Sequence, residues 1–171
     1  VVHGALRRSY RQLRDRCVQL AHALHKSGIG RGDTVAALLP NIPQMLECHY
    51  GVPMTGGVLN TLNTRLDAGT IAYCLDHGEA KAVIVDRELV PLLRVALTQC
   101  KAKPLLIEVD DPEASEAARA NRLDGAADYE AFIAQGDANW SWIMPGDEWD
   151  AITLNYTSGT TGRPKGCLLY T

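Results

Sequence analysis

The sequence predicts an α/β protein in which helices flank a mostly parallel sheet, and three observations carry that prediction. Short, nearly continuous apolar runs recur at 34–39, from Val58-Leu59, at 81–85 and at 104–109, as strands buried on both faces do. Between them lie stretches with apolar residues at steps of three and four, the period of an amphipathic helix. The connections are short, so strand and helix alternate four times, an order that argues for right-handed βαβ units. Length and composition agree. The 171 residues fit within one ordinary domain, and 46% apolar with 22% charged residues is globular usage, unlike disordered, collagenous or coiled-coil chains.

Each element has a local reason. Leu6, Tyr10, Leu13, Cys17, Leu20 and Leu24 form a stripe at helical spacing, so the arginines among them decorate a structural helix rather than a targeting peptide. That helix should end near Ser27-Gly28, with glycine as its cap. The following Gly28-Ile29-Gly30-Arg31-Gly32-Asp33 is a turn; its glycines lack dinucleotide-fingerprint spacing, and a strand follows rather than precedes them. Pro40-Asn41 closes the first strand, and Pro43 opens a helix carrying Met45, Leu46, His49 and Tyr50. Asp67 is an N-cap for a helix through about His77, with Ile71, Cys74 and Leu75 inward and Gly78 as its cap. A helix over 87–99 follows the strand at 81–85. Between 110 and 150 the rhythm falters, leaving one modest helix at 129–134 and all three tryptophans, which reads as a surface excursion or lid. The run at 151–157 is a strand entering a loop.

Net charge is −3, which argues against a general nucleic-acid binder. Residues 108–150 concentrate twelve acidic residues against two arginines. Their carboxylates keep no fixed ligand spacing, so the expectation is a solvated connection, with no metal site identifiable. Pro40, Pro43 and Pro53 interrupt the longest apolar stretches well before the roughly 18–20 residues a membrane span requires. Five scattered cysteines without a CxxC pair fit a reducing compartment, read as the cytoplasm, with ordinary buried thiols. The five histidines are dispersed with no Ser or Cys partner evident, which disfavours a hydrolase triad.

The informative stretch is Tyr156-Thr157-Ser158-Gly159-Thr160-Thr161-Gly162-Arg163-Pro164-Lys165-Gly166. Its glycines let backbone N–H groups approach an anion closely. Its hydroxyls supply further donors, and Lys165 adds a mobile point charge suited to polyphosphate. A flexible linker is the alternative for such composition, but this loop follows a strand at the carboxyl edge of a parallel sheet, where open α/β folds place ligands. It is not the Walker A pattern: Pro164 precedes the lysine, and Gly166 stands where Ser or Thr would hold magnesium.

The eleven-residue string YTSGTTGRPKG resembles the phosphate-loop motif of the AMP-forming adenylating enzymes: acyl-CoA synthetases, peptide-synthetase adenylation domains and luciferases. The resemblance extends through GIGRGDTVAALLPN at 28–41 and GGVLNTLNTRLDAGTIAYCLDHGEAKAVIVD at 56–86. The latter segment and DEWDAITLNYTSGTTG at 147–162 are most similar to medium-chain or methylthiopropionate-type fatty-acid CoA ligases. The resemblance implies the first part of that family's large N-terminal domain. It also implies a reaction in which ATP and a carboxylate form an acyl-adenylate with loss of pyrophosphate, after which CoA displaces AMP. Carried over by position, Thr157, Ser158, Gly159, Thr160, Thr161, Gly162 and Lys165 would bind the ATP phosphates. Lys165 would act catalytically by stabilising charge on the departing pyrophosphate. ATP, Mg2+ and CoA are the implied cofactors and co-substrates, and a small-molecule carboxylic acid the implied partner.

The resemblance also implies missing parts, so residues 1–166 are expected to form a partial AMP-binding domain that is inactive and marginally stable alone. Residues 167–171 depart from the family's continuation and can be encoded by TGT CTC TTA TAC ACA, which looks like a transposase sequencing adapter. They are expected to be a non-native tail. The alternatives are a peptide-synthetase adenylation domain and a noncatalytic nucleotide-binding fragment.

Overall fold

The structure, a computed structural model, describes residues 1–157 and 164–170. Two short strands, β1 (Val2–His3) and β2 (Leu6–Arg7), pair antiparallel ahead of α1 (Tyr10–Lys26). Strand β3 (Thr34–Leu38), helix α2 (Pro43–Gly51), β4 (Val58–Thr61), α3 (Ala68–His77), β5 (Ala80–Asp86), α4 (Val90–Gln99) and β6 (Leu105–Val109) follow in alternation. The chain continues through α5 (Glu116–Arg119), β7 (Ala127–Asp128), α6 (Tyr129–Ile133), β8 (Ala151–Thr157) and β9 (Lys165–Tyr170). The main sheet runs β7-β6-β5-β3-β4-β8-β9. Every pairing in it is parallel except that of β8 with β9. The predicted fold class stands.

Strand alternation splits the core between the two faces of the sheet. Val35, Ala37, Ala82 and Ile84 pack under α1, α2 and α6, whereas Ala36, Leu38, Val83 and Val85 pack under α3 and α4. Burial on both faces is why these strands read as continuous apolar runs rather than alternating ones.

Three expectations change. The helix begins later than the apolar stripe predicts: Leu6 lies in β2, and Tyr10, the first helical residue, is 87% exposed. A capping box decides the start. Ser9 Oγ accepts from the Gln12 N–H while Gln12 Oε1 accepts from the Ser9 N–H. The 87–99 helix is in fact a 3-10 turn, Arg87–Leu89, followed by α4 with Pro91 in its first turn, a place where its missing N–H costs nothing.

The acidic stretch is the largest change, because part of it returns to the core. Strand β7 extends the sheet beside β6, and Tyr129, Phe132 and Ile133 of α6 are buried against it and α1. Several of its carboxylates are also partnered rather than merely solvated. Glu108 and Asp110 pair with Arg87 at 2.9 and 2.6 Å, Asp111 with His3 at 2.8 Å, and Glu130 with Arg16 at 2.7 Å. Farther on, Trp140 stacks on His22 at 5.3 Å, and His22 Nδ1 accepts the Asp137 N–H.

Candidate functional site

Because β3, β4 and β8 pair in parallel, their carboxyl ends open on one side of the sheet. There β3 runs into Leu39-Pro40-Asn41, β4 into Leu62-Asn63-Thr64, and β8 ends at Thr157. A cavity of about 490 Å³ lies between the first two, walled by Asn41, Met45, His49, Thr61, Asn63 and Thr64 among others. Thr61 Oγ1 donates to Asn155 Oδ1 at 3.3 Å, which ties this wall to β8 two residues before Thr157. The open end of a parallel sheet is where ligands of such folds sit.

The chain returns from the loop at Pro164, and β9 runs back antiparallel along β8. Register sets Lys165 opposite Thr157, and Gly166 opposite Tyr156. Of the seven residues expected to hold phosphate, these two ends of the loop are described, and the fold brings them together, both exposed. Ser158, Gly159, Thr160, Thr161 and Gly162 lie outside the described residues.

Beneath that strand pair is a contact that sequence reading missed. The Tyr156 hydroxyl stands 2.9 Å from His77 Nδ1 and donates to the Cys74 carbonyl at 3.4 Å. Partial burial pushes the Tyr156 phenol up to about 12, with the neighbouring Cys74 and Tyr73 adding to the shift. His77 and Tyr156 are 79 residues apart, so only the β4–β8 pairing, which sets β8 beside α3, could have revealed them.

A larger depression of about 900 Å³ opens at the other end of the strands, beside Lys81, Lys101, Lys103, Asp76 and Glu79. Its charges are partly committed: Lys81 pairs with Asp33 at 2.6 Å, and Asp76 accepts from the Lys101 and Ala102 N–H groups. Its lining also includes Tyr73 and His77; we place the site at the carboxyl edge because Thr157 and Lys165, the two ends of the loop, meet there. Among the described residues, no group of three or more His, Cys, Asp or Glu could hold a metal ion, and no helix is long and apolar enough to cross a membrane.

Comparison with known proteins agrees with the sheet. The chain is 45% identical over 178 residues to a peroxisomal acetate/butyrate–CoA ligase of Arabidopsis thaliana, covering 99% of this chain and 31% of that protein. It is 42% identical over 177 residues to an acetate–CoA ligase of Humulus lupulus, again covering 99% and 31%. The chain thus spans about a third of the length of these curated relatives. Among solved structures, an anthranilate CoA ligase in complex with anthranoyl-AMP superposes with a TM-score of 0.83 at 22% identity, over 94% of this chain and 29% of that one. A Brucella canis acyl-CoA synthetase superposes with a TM-score of 0.78 at 25% identity, over 95% and 28%. The model of the AMP-binding enzyme family matches residues 1–171. The chain belongs to the AMP-binding enzyme family.

Proposed function

We propose that this chain is the N-terminal portion of an ATP-dependent acid–CoA ligase and supplies the grip on the ATP phosphates. The observation that carries the reading is the meeting of Thr157 and Lys165 across β8 and β9, at the carboxyl edge beside the cavity. Thr157, Ser158, Gly159, Thr160, Thr161 and Gly162 hold the β and γ phosphates through hydroxyl and backbone N–H donors. A substrate carboxylate oxygen attacks the α phosphorus, forming the acyl-adenylate as the bond to pyrophosphate breaks. Lys165 neutralises the charge that accumulates on the departing pyrophosphate, stabilisation that matters most where water is excluded. In the second half, the CoA thiolate adds to the acyl carbon and AMP leaves. The described residues offer no ligand set for magnesium, so no step is assigned to it.

Relatives named for acetate, butyrate and 2-methylpropanoate support a short-chain carboxylic acid as substrate. Five unpaired cysteines support a reducing compartment, the cytoplasm in our reading, although the first relative is named peroxisomal. Imaging the tagged full-length protein distinguishes the two. Residues 167–171 remain proposed as a non-native tail; a genomic read continuing natively through them refutes this.

ATP–pyrophosphate exchange by the longer protein that carries this chain tests the function. Lys165→Ala and Thr161→Ala should slow exchange by roughly a hundredfold, the effect of removing one transition-state donor, with little change in carboxylate binding. Exchange at the unsubstituted rate in both variants overturns the assignment.

A further inference from the structure

We infer that His77 and Tyr156 are positioning residues for the phosphate loop, forming a support that fixes the strands at its two ends. The inference rests on the functional reading above and adds to it His77, a residue 79 positions before the motif's Tyr156.

Three features converge on Tyr156. First, it is one residue before the loop, and its cross-strand partner Gly166 is one residue after Lys165. Second, its hydroxyl is held from below by the end of α3, through His77 Nδ1 and the Cys74 carbonyl, while its ring meets the His77 ring edge-on at 5.8 Å. Third, two glycines allow the elements to close on it. A Cβ on Gly166 would stand 3.2 Å from Leu154 Cδ1, 3.4 Å from Tyr156 Cε1 and 3.6 Å from His77 Cε1. A Cβ on Gly78 would stand 2.9 Å from the Cys74 carbonyl oxygen and 3.3 Å from the Tyr156 hydroxyl. Gly166 thus faces Tyr156 and His77 with room for little more than a Cβ between them, and Tyr156 is held to the end of α3 through His77 and the Cys74 carbonyl.

A loop that grips a polyphosphate works only when its ends are held to a fraction of an ångström. Among the described residues, Lys165 and Gly166 pair with Thr157 and Tyr156 of β8, and the Tyr156–His77 contact ties that strand pair to α3 at the position next to Thr157 and Lys165. His77 touches no phosphate in this scheme; it acts through Tyr156, and Tyr156 through the strands.

The test uses the longer protein and four variants: Tyr156→Phe, His77→Ala, the double variant, and His77→Asn, whose amide can occupy the place of Nδ1. In pyrophosphate exchange, Tyr156→Phe and His77→Ala should each raise the KM for ATP by about threefold to tenfold, the range for one hydrogen bond. The KM for the carboxylate should stay within about twofold, and the double variant should be no worse than either single one, as for two members of one contact. His77→Asn should restore most of the ATP affinity, a rescue that a purely structural role for the imidazole would not give. An unsubstituted protein that exchanges normally, with variants whose KM for ATP is unchanged, overturns the inference while leaving the function intact. If the unsubstituted protein exchanges with no carboxylate, the functional reading fails, and calorimetric titration with ATP decides the support separately. The same order of affinities across the variants upholds it, whereas equal affinities or no binding overturn it.

Discussion

Removing Glu47 should cost this chain more stability than truncating any single apolar side chain of α2. Glu47 is fully buried, and its two oxygens accept four hydrogen bonds. Arg8 Nη1 donates at 2.8 Å, Arg16 Nε and Nη2 at 2.6 and 3.1 Å, and the Tyr129 hydroxyl at 2.8 Å. One carboxylate thus joins the segment before α1, α1 itself, α2 and α6. Glu47→Ala leaves two guanidinium groups, with side chains only 13% and 16% exposed, facing the gap it opens. Breaking a buried pair from one side costs about 3–5 kcal/mol. Glu130 keeps hold of Arg16 at 2.7 Å, so about 3 kcal/mol is expected, which for a chain of this length lowers Tm by about 6–12 °C. Tyr129→Phe deletes only one donor and should cost about 1 kcal/mol. The double variant should cost less than the sum, because Tyr129 loses its partner in either case. Urea unfolding at micromolar concentration, followed by tryptophan fluorescence with Trp140 packed against α1, gives these values. A Glu47→Ala variant within about 1 kcal/mol of the unsubstituted chain would refute the reasoning, since it would mean that water or repacking fully replaces the carboxylate.

Burial holds the Asp86 carboxyl above the usual carboxylate range, with the charges of Asp111, Glu88 and Asp110 adding to it, and its Oδ2 has no partner among the described residues. The folded state therefore favours the protonated form, and the penalty for the charge is absent below the unfolded pKa and complete above the folded one. Asp86→Asn, which can still accept the Glu88 N–H, should stabilise the chain at neutral pH, and the gain should vanish by about pH 3. A gain independent of pH contradicts this account. Thiol reactivity should sort by burial: Cys167 is exposed, while burial pushes Cys17 up to about 12 and Cys74 and Cys100 up to about 11. An aromatic disulfide reagent at neutral pH should label Cys167 first, with Cys48, fully buried and pushed higher still, among the last. Prompt labelling of Cys48 in the folded chain refutes the packing of α2.

What the sequence revealed, and what it hid, follows from how far apart the partners lie. Strands β3, β5 and β6 were legible because burial on both faces writes itself as an apolar run, and Asp67 was legible because its oxygen accepts the N–H of Thr70 three residues on. The Ser9 cap was equally local, and the Ser-x-x-Gln spacing that marks it was present; the apolar Leu6 and Tyr10 simply extended the helical period past it. The acidic stretch misled for a different reason. Its charge says nothing about partners 82 to 114 residues away, so Glu130 with Arg16 and Tyr129 with Glu47 could not be read from composition.

The site divides the same way. The loop proposed to hold phosphate is a contiguous string, so its residues are candidates from the sequence alone. Its geometry is not contiguous: Thr157 meets Lys165 only because β9 turns back along β8, and β8 lies beside α3 only because it pairs with β4, more than ninety residues earlier in the chain. That long-range pairing is what brings His77 under Tyr156. A substitution at His77 would therefore look neutral in any reading confined to the loop motif, while acting on it from the opposite end of a helix. Local sequence can nominate the groups proposed to bind phosphate, but the register that brings Thr157 and Lys165 together belongs to the topology of the sheet.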